Sequence, residues 1–267
     1  MRVDILGEGT PELAIVGALH GDEPCGVRAI DRLIEDQPPL DRAVKLIVAN
    51  EEALEQNVRY IDADLNRSFE QDAPSASNEA RLASVLADEL RGMTALAIHS
   101  TQSTDEPFGI VNGLDSPMAD IAPFLSITAL VDVDQPEGRI FALEADFIEV
   151  EAGHQGSDQA AENAYRIARE FLTATGALPG QTVGQDVPVF RLDDRIDKPT
   201  AEAYEVFVEN FSLVESGETF AAADGEPLVA DEPFYPILLS PYGYADQFGF
   251  AGQHVGSLSG TDARSLG

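Results

Sequence analysis

Short apolar runs alternate with helical patterns from residue 13 to residue 174, and this alternation limits the chain to a few folds. The first run, at 13–19, ends in a loop, and a helical pattern follows at 25–35. Later patterns predict strands at 45–50, 95–99, 108–113, 127–133 and 146–152, and helices at 78–90 and 157–174. Strands that alternate with helices form a parallel or mixed sheet covered by helices. The sequence therefore predicts an α/β fold.

The pattern changes after Gly176, where short apolar runs are broken by glycine, proline and aspartate. Such runs are typical of strands joined by turns. We predict a larger α/β domain at 1–178 and a smaller β-rich domain at 179–267. The end of the second domain, at 256–267, is rich in glycine and serine and is expected to form a flexible tail.

The charge balance restricts the partners of the protein. Acidic residues outnumber basic residues by 48 to 16, the formal net charge is -32, and the acids are spread along the whole chain. This field repels nucleic acid, which we exclude as a partner. Molar salt shortens the reach of the self-repulsion to about 3 Å, so we interpret the surface as halophilic.

Cysteine content and hydropathy indicate the compartment. The single cysteine, Cys25, cannot form an internal disulfide, which is compatible with a reducing cytoplasm. The first residues carry acids where a signal peptide needs an apolar run, and no apolar stretch reaches 18 residues. We expect a cytoplasmic protein without membrane contact.

Two histidines at the ends of predicted strands suggest a metal site. His20 and Glu23 lie three residues apart where a loop enters a helix, and His99 ends the strand at 95–99. Hydrolytic zinc sites commonly combine two histidines with one glutamate and leave a position open for water. The His-x-x-Glu spacing alone belongs more often to a surface pair or a helix cap.

A second motif lies in the polar loop at 57–77. Its segment Arg59-Tyr60-Ile61-Asp62-Ala63-Asp64-Leu65-Asn66-Arg67 concentrates two arginines and an asparagine. One interpretation is a surface network of aspartates and arginines. The other is a site for a carboxylate ligand, because a guanidinium group binds carboxylates with two parallel hydrogen bonds.

Four ordered segments resemble the succinylglutamate desuccinylase and aspartoacylase family, which is related to the zinc carboxypeptidases. They are His20-Gly21-Asp22-Glu23, the loop segment 59–67, Ile98-His99-Ser100-Thr101 and Val150-Glu151-Ala152-Gly153. The resemblance implies a zinc-carboxypeptidase-like mixed sheet flanked by helices, and one zinc ion per chain. It also implies zinc-dependent hydrolysis of a small anionic N-acyl amino acid, of the N-acetylaspartate or N-succinylglutamate type, to a free amino acid and a carboxylate.

The same resemblance assigns roles to nine residues. The implied metal ligands are His20, Glu23 and His99. The implied catalytic residues are Glu151 as general base and Arg59 as the group that polarises the scissile carbonyl. The implied substrate contacts are Asn66 and Arg67 on the α-carboxylate, Arg139 on a second acidic group, and Tyr244 from the C-terminal part.

The chain departs from the family pattern at one position and is ambiguous at another. Relatives often carry an aspartate two residues before the third metal ligand, where this chain has Ala97. Another group must then orient His99. Glu149 and Glu151 lie two apart on one predicted strand and face the same side, so either can point into the site. Glu151 is preferred because Glu151-Ala152-Gly153 matches the family's Glu-x-Gly pattern.

Two other functions use the same residues. A zinc carboxypeptidase would apply the metal, the base and the arginines to peptide C-termini. A non-catalytic zinc-binding relative would keep the metal ligands, but it would need neither Glu151 nor Arg59.

Overall fold

The computed structural model describes residues 1–69, 77–133 and 139–260. A ten-stranded mixed sheet forms its centre. The strands of this sheet are β1 (Arg2–Leu6), β2 (Leu13–Gly17), β3 (Val44–Val48), β4 (Thr94–Thr101), β5 (Phe108–Val111), β6 (Leu130–Asp132), β7 (Asp146–His154), β8 (Asp186–Asp197), β12 (Tyr235–Ile237) and β13 (Gln247–Ser259). The strands of a smaller sheet are β9 (Tyr204–Val206), β10 (Thr219–Ala223) and β11 (Glu226–Val229).

Within the described ranges, five α-helices and three short 3-10 helices connect these strands. The α-helices are α1 (Cys25–Asp36), α2 (Glu51–Gln56), α3 (Asn78–Leu90), α4 (Pro117–Ile121) and α5 (Asp158–Ala174). The 3-10 helices are Leu65–Arg67, Ala122–Phe124 and Ile140–Ala142. No helix in the three described ranges is long and apolar enough to cross a membrane.

The large sheet has the order β1-β3-β2-β4-β7-β5-β6-β8-β13-β12. Its centre is parallel, because β2 pairs in parallel with β3 and β4, and β4 pairs in parallel with β7. The carboxyl ends of these strands therefore meet at one edge, where ligands bind in open α/β sheets. Strand β5 is antiparallel to β7, so the sheet is mixed as predicted.

Both faces of the sheet are covered, which explains why its central strands are apolar throughout. In β2, Leu13 and Ile15 join the core under α1 and α5, whereas Ala14 and Val16 join the core under α3. This division follows from the two-residue repeat of a strand. Helix α5 begins at the expected cap, since the Ser157 side chain accepts a hydrogen bond from the Ala160 amide.

The predicted strands and helices of the first 175 residues are present, and most of their bounds agree with the prediction to within two residues. The strand predicted at 127–133 covers only Leu130–Asp132, and the loop predicted at 57–77 contains a short 3-10 helix. Part of that loop, 70–76, lies outside the described residues. Strand β1 and helices α2 and α4 were not predicted, because each is short and β1 is half-exposed.

The C-terminal part is rich in strands as predicted, and it extends the large sheet instead of standing apart. Strand β8 pairs in parallel with β6, and β13 pairs with β8 as far as Ser259. The expectation of a flexible tail from residue 256 is therefore wrong for 256–259, which belong to β13. Gly260 follows the strand in a turn, and the tail residues 261–267 lie outside the described part of the chain. The division into two domains at residue 178 stays a prediction.

Candidate metal and active site

A tight turn after β2 carries the first two candidate ligands. Ala18 adopts a left-handed conformation with φ 54°. Gly21 lies so close to α2 that an added Cβ would stand 2.1 Å from the Ala53 carbonyl carbon, so only glycine fits there. The Gly21 amide also donates to the carbonyl of Arg59, which joins this turn to the arginine loop. The turn directs His20 and Glu23 to the carboxyl edge of the sheet.

His99 lies near the end of β4 and completes a buried cluster with His20 and Glu23. The three potential ligand atoms lie within 4.8 Å of one another. Both Nδ1 atoms face Glu23, at 2.8 Å from Oε1 for His20 and 2.9 Å from Oε2 for His99. Two imidazoles and one carboxylate are the donor set of a hydrolytic zinc site. The residues present therefore fit a zinc ion.

The charges of these three residues depend on one another. Burial lowers the pKa of His99, but Glu23 and Glu149 outweigh burial and raise that pKa well above its usual value. Burial also opposes ionisation of Glu23, whose pKa is nevertheless held well below the usual range by the two histidines. In the absence of metal, protons on the imidazoles balance the carboxylate, and a cation would compete with them.

The arginine loop packs against the metal cluster through Asp64. One Asp64 oxygen lies 3.0 Å from Nε2 of His20, and the other accepts hydrogen bonds from Nε and Nη2 of Arg59. Nη1 of Arg59 also donates to Glu23 at 3.2 Å. Asp64 further accepts from the backbone amide of Asn66 and so begins the 3-10 helix that carries Arg67.

The fully buried Glu79 on α3 holds the same loop from behind, a role that sequence reasoning missed. Its carboxylate accepts hydrogen bonds from the backbone amides of Ile61, Asp62 and Ala63 and from the side chain of Asn50. These donors lower the pKa of Glu79 although burial opposes this. In the sequence Glu79 is typical of an acid in the first turn of a helix, so no signal marked its contact with the loop.

Glu149 and Glu151 differ in their surroundings although both line the pocket. Glu149 is buried and accepts a hydrogen bond from Nδ2 of Asn66 at 2.8 Å. Glu151 has a buried oxygen, Oε2, without a hydrogen-bond partner among the described residues. Burial, aided by the negative charges of Glu23 and Glu149, raises the pKa of Glu151 to about 7. A carboxylate with that pKa can exchange a proton near neutral pH.

All nine predicted site residues line this one pocket. They are His20, Glu23, Arg59, Asn66, Arg67, His99, Arg139, Glu151 and Tyr244. Asn66 is mostly engaged with the protein itself, since its side chain also accepts a hydrogen bond from the backbone amide of Ile140. The guanidinium groups of Arg67 and Arg139 form no ion pair with any carboxylate in the described ranges. Burial and the neighbouring Arg139 lower the pKa of Arg67.

Comparison with known proteins identifies the family. A sequence model of the succinylglutamate desuccinylase/aspartoacylase catalytic domain matches residues 9–175. This span exceeds half of the chain and contains every predicted site residue except Tyr244. The chain belongs to the succinylglutamate desuccinylase/aspartoacylase family. The fold and family expected from the four sequence segments are confirmed.

Curated members of the family match over short segments. The N-acyl-aromatic-L-amino acid amidohydrolase (carboxylate-forming) of Xenopus tropicalis is 41% identical over 69 residues, which are 25% of this chain and 22% of that protein. The aspartoacylase of Rattus norvegicus is 38% identical over 66 residues, which are 24% of this chain and 21% of the relative. The chain thus spans about a fifth of the length of the curated relatives it matches.

Solved structures share the fold over nearly the whole chain, among them a succinylglutamate desuccinylase/aspartoacylase and an aminoacylase. The protein from Rhodobacter sphaeroides superposes with a TM-score of 0.76 at 17% identity and covers 95% of this chain and 89% of its own. Murine aminoacylase 3 superposes with a TM-score of 0.73 at 19% identity and covers 94% and 98%. These likenesses include the C-terminal strands, which lie beyond the matched catalytic domain.

Proposed function

We propose that this member of the family is a zinc-dependent deacylase that hydrolyses the amide bond of a small anionic N-acyl amino acid. The observation that carries the proposal is the convergence, in one pocket, of a His-Glu-His cluster, an acid with a raised pKa and two arginines that have no carboxylate partner among the described residues. The names of the curated relatives, an amidohydrolase and an aspartoacylase, support the reaction class.

We propose one zinc ion per chain, held by His20, Glu23 and His99. Their buried donor atoms lie within 4.8 Å of one another, which supports this assignment. A bound zinc ion lowers the pKa of a water molecule towards neutrality and polarises an amide carbonyl.

We propose that Glu151 is the general base. It takes a proton from the attacking water and returns it to the departing amine, and both transfers suit a carboxyl whose pKa is about 7. Its unpaired buried oxygen supports this role, because a carboxylate already bonded to donors would be a poorer base.

Arg59 is the proposed partner of the scissile carbonyl. Three of its N–H groups bond Asp64 and Glu23, which fix the guanidinium plane beside the metal cluster. A guanidinium has five N–H donors, so two remain to bind the oxygen on which negative charge develops.

The substrate is proposed to be anionic because two arginines of the pocket are available to bind carboxylates. Arg67 and Arg139 line the pocket without carboxylate partners in the described residues, and a substrate with two acidic groups would pair with both. Asn66 has one amide hydrogen left for the α-carboxylate. Tyr244, whose pKa is raised by burial and by Glu151, lines the pocket from the C-terminal part and is the residue that we propose to cover the substrate.

The surface charge leads to two further proposals about working conditions. We propose that the protein is stable and active in molar salt, where its net charge of -32 is screened. We also propose a reducing, cytoplasmic location, since the one cysteine is buried and donates to the carbonyl of His99 instead of forming a disulfide.

Metal analysis and hydrolysis assays in molar potassium chloride test the function. We expect one zinc per chain and turnover of N-acetylaspartate or N-succinylglutamate. Release of C-terminal residues from peptides, without turnover of either N-acyl amino acid, would show a carboxypeptidase instead. Bound zinc without turnover of any of the three substrates would show a non-catalytic relative.

A further inference from the structure

The two histidines of the proposed metal site have different outer partners. Each directs Nδ1 towards Glu23 and Nε2 away from it. Nε2 of His20 lies 3.0 Å from Asp64, within hydrogen-bond distance. Nε2 of His99 is buried and has no hydrogen-bond partner in the described part of the chain, and its nearest charged neighbour is Oε1 of Glu149 at 3.6 Å. An imidazole that binds metal needs a partner on its other nitrogen to fix ring and tautomer.

The strand that carries His99 cannot supply this partner. The residue two positions earlier, on the same face of β4, is Ala97, whose methyl group accepts no hydrogen bond. In the parallel pairing of β4 with β7, Ala97 lies directly opposite Glu149, and His99 lies opposite Glu151. The carboxylate nearest to the place of Ala97 is therefore that of Glu149, which lies directly opposite Ala97 on the neighbouring strand β7.

The position of Glu149 is fixed by contacts that do not depend on a ligand. Its Oε1 accepts from Nδ2 of Asn66, and Oδ1 of Asn66 accepts from the backbone amide of Ile140 at 2.9 Å. Glu149 and Asn66 are both almost fully buried. A buried carboxylate is costly unless it is paired, and the proposed reaction uses Glu149 neither as base nor as ligand.

We propose that Glu149 is the positioning residue of His99. It accepts a hydrogen bond from Nε2–H, which leaves the lone pair of Nδ1 directed at the metal site. The role that Asp64 has for His20 is thus filled for His99 by an acid from the adjacent strand, opposite the alanine. This inference rests on the proposed metal site.

Zinc affinity, measured by competition with a chromophoric chelator, tests the proposal without any substrate. Loss of an outer partner typically weakens metal binding by about 10- to 100-fold. We expect a loss in this range for Glu149→Gln and a larger loss for Glu149→Ala. Asp132→Asn is the matched control. Asp132 is another buried acid of the sheet, but it lies on β6 and accepts a hydrogen bond from the Gly113 amide, away from the metal cluster. Its zinc affinity should equal that of the wild type.

Moving the carboxylate between strands gives the sharper test. The double variant Ala97→Asp, Glu149→Ala places an acid on β4 and none on β7. We expect its zinc affinity to recover to within about threefold of the wild type. The new carboxylate at position 97 lies opposite position 149 and can reach the imidazole of His99. A double variant as weak as Glu149→Ala would contradict the proposal.

Imidazole nitrogen NMR of the zinc-loaded wild type gives a measurement that does not require any variant to fold. We expect the spectrum of His99 to show the proton on Nε2, and a proton on Nδ1 would overturn the inference. If the wild type binds no zinc, the proposed function fails. If it binds zinc and Glu149→Gln binds equally well, only the role of Glu149 fails.

Discussion

The pocket and the outer surface of this protein differ in how many of their charged side chains have a partner of opposite charge. On the surface, most arginines are paired with acids, as in Arg28 with Asp158 and Arg42 with Glu12. In the pocket, Arg67 and Arg139 form no such pair within the described ranges, and Glu151 keeps a buried oxygen without a partner. Acidic residues outnumber basic residues threefold in this chain, so an arginine without an acidic partner is the exception. This difference is what the proposed function requires, since a bound substrate would pair with these groups.

The largest effect on activity is expected from substitution of Glu151, the proposed general base. Glu151→Gln keeps size and polarity but removes proton transfer, so we expect kcat to fall by about 100- to 10,000-fold. Zinc content should stay at the wild-type level, because Glu151 is not among the proposed ligands. Steady-state kinetics with metal analysis checks both. An almost fully active variant would show that Glu149 or another group is the base.

Removal of a pocket arginine is expected to have the next largest effect. A hydrogen bond to a charged group contributes about 1.5–3 kcal/mol, so Arg67→Met should lower kcat/KM by about 10- to 150-fold. The loss should appear mainly in KM. Arg28→Met on the surface is the control and should leave kcat/KM unchanged. Equal losses in the two variants would contradict the contrast between pocket and surface.

The pH dependence of the free energy of unfolding measures how much ionised Glu151 destabilises the folded protein. The pKa of Glu151 is raised from 4.5 to about 7 in the folded protein. A raised acid pKa means that the stability present below about pH 4.5 is lost as the pH rises towards 7. The neutral glutamine of Glu151→Gln avoids this loss. The metal-free variant should therefore exceed the wild type in stability by up to roughly 3 kcal/mol above pH 7.

Chemical unfolding with a chelator, in molar salt at pH 5 and pH 8, measures this difference. Comparison of the two proteins at each pH cancels the contribution of the many surface acids. The difference in the free energy of unfolding should be larger at pH 8 than at pH 5. An equal difference at both pH values would show that Glu151 has an ordinary pKa in the metal-free protein.

Local sequence patterns were sufficient to predict the fold class, whereas the candidate metal cluster of His20, Glu23 and His99 followed from the resemblance of four segments to the family. Apolar runs between helical patterns located the central strands, and the structure brings His20 and His99 together because the strands that precede them, β2 and β4, are neighbours in the sheet. Glu79 and the place of Glu149 opposite Ala97 could not be predicted, because both depend on tertiary contacts. Periodicity also failed for β1, a half-exposed edge strand of five residues.

The two lysines also differ in whether they pair with an acid, and they give the prediction with the smallest effect. Lys45 pairs with Glu89 at 2.8 Å, far from the site. Lys198 forms no ion pair among the described residues. Its Nζ lies 4.8 Å from the ring centre of Tyr204 and donates to the carbonyl of Tyr244 at 2.5 Å. Burial lowers the pKa of Lys198. Lys198 thus holds the backbone of Tyr244, the residue proposed to cover the substrate.

Lys198→Met should therefore raise KM by about three- to tenfold while kcat changes little, since the hydrogen bond and the cation–π contact each contribute about 1 kcal/mol. Lys45→Met also removes a bonded lysine, but it should leave KM unchanged because Lys45 holds the end of α3 and not the pocket. Steady-state kinetics in molar salt compares the two variants. A KM increase that is equal in both would mean that Lys198 affects only general stability, and Tyr244 would then need another support.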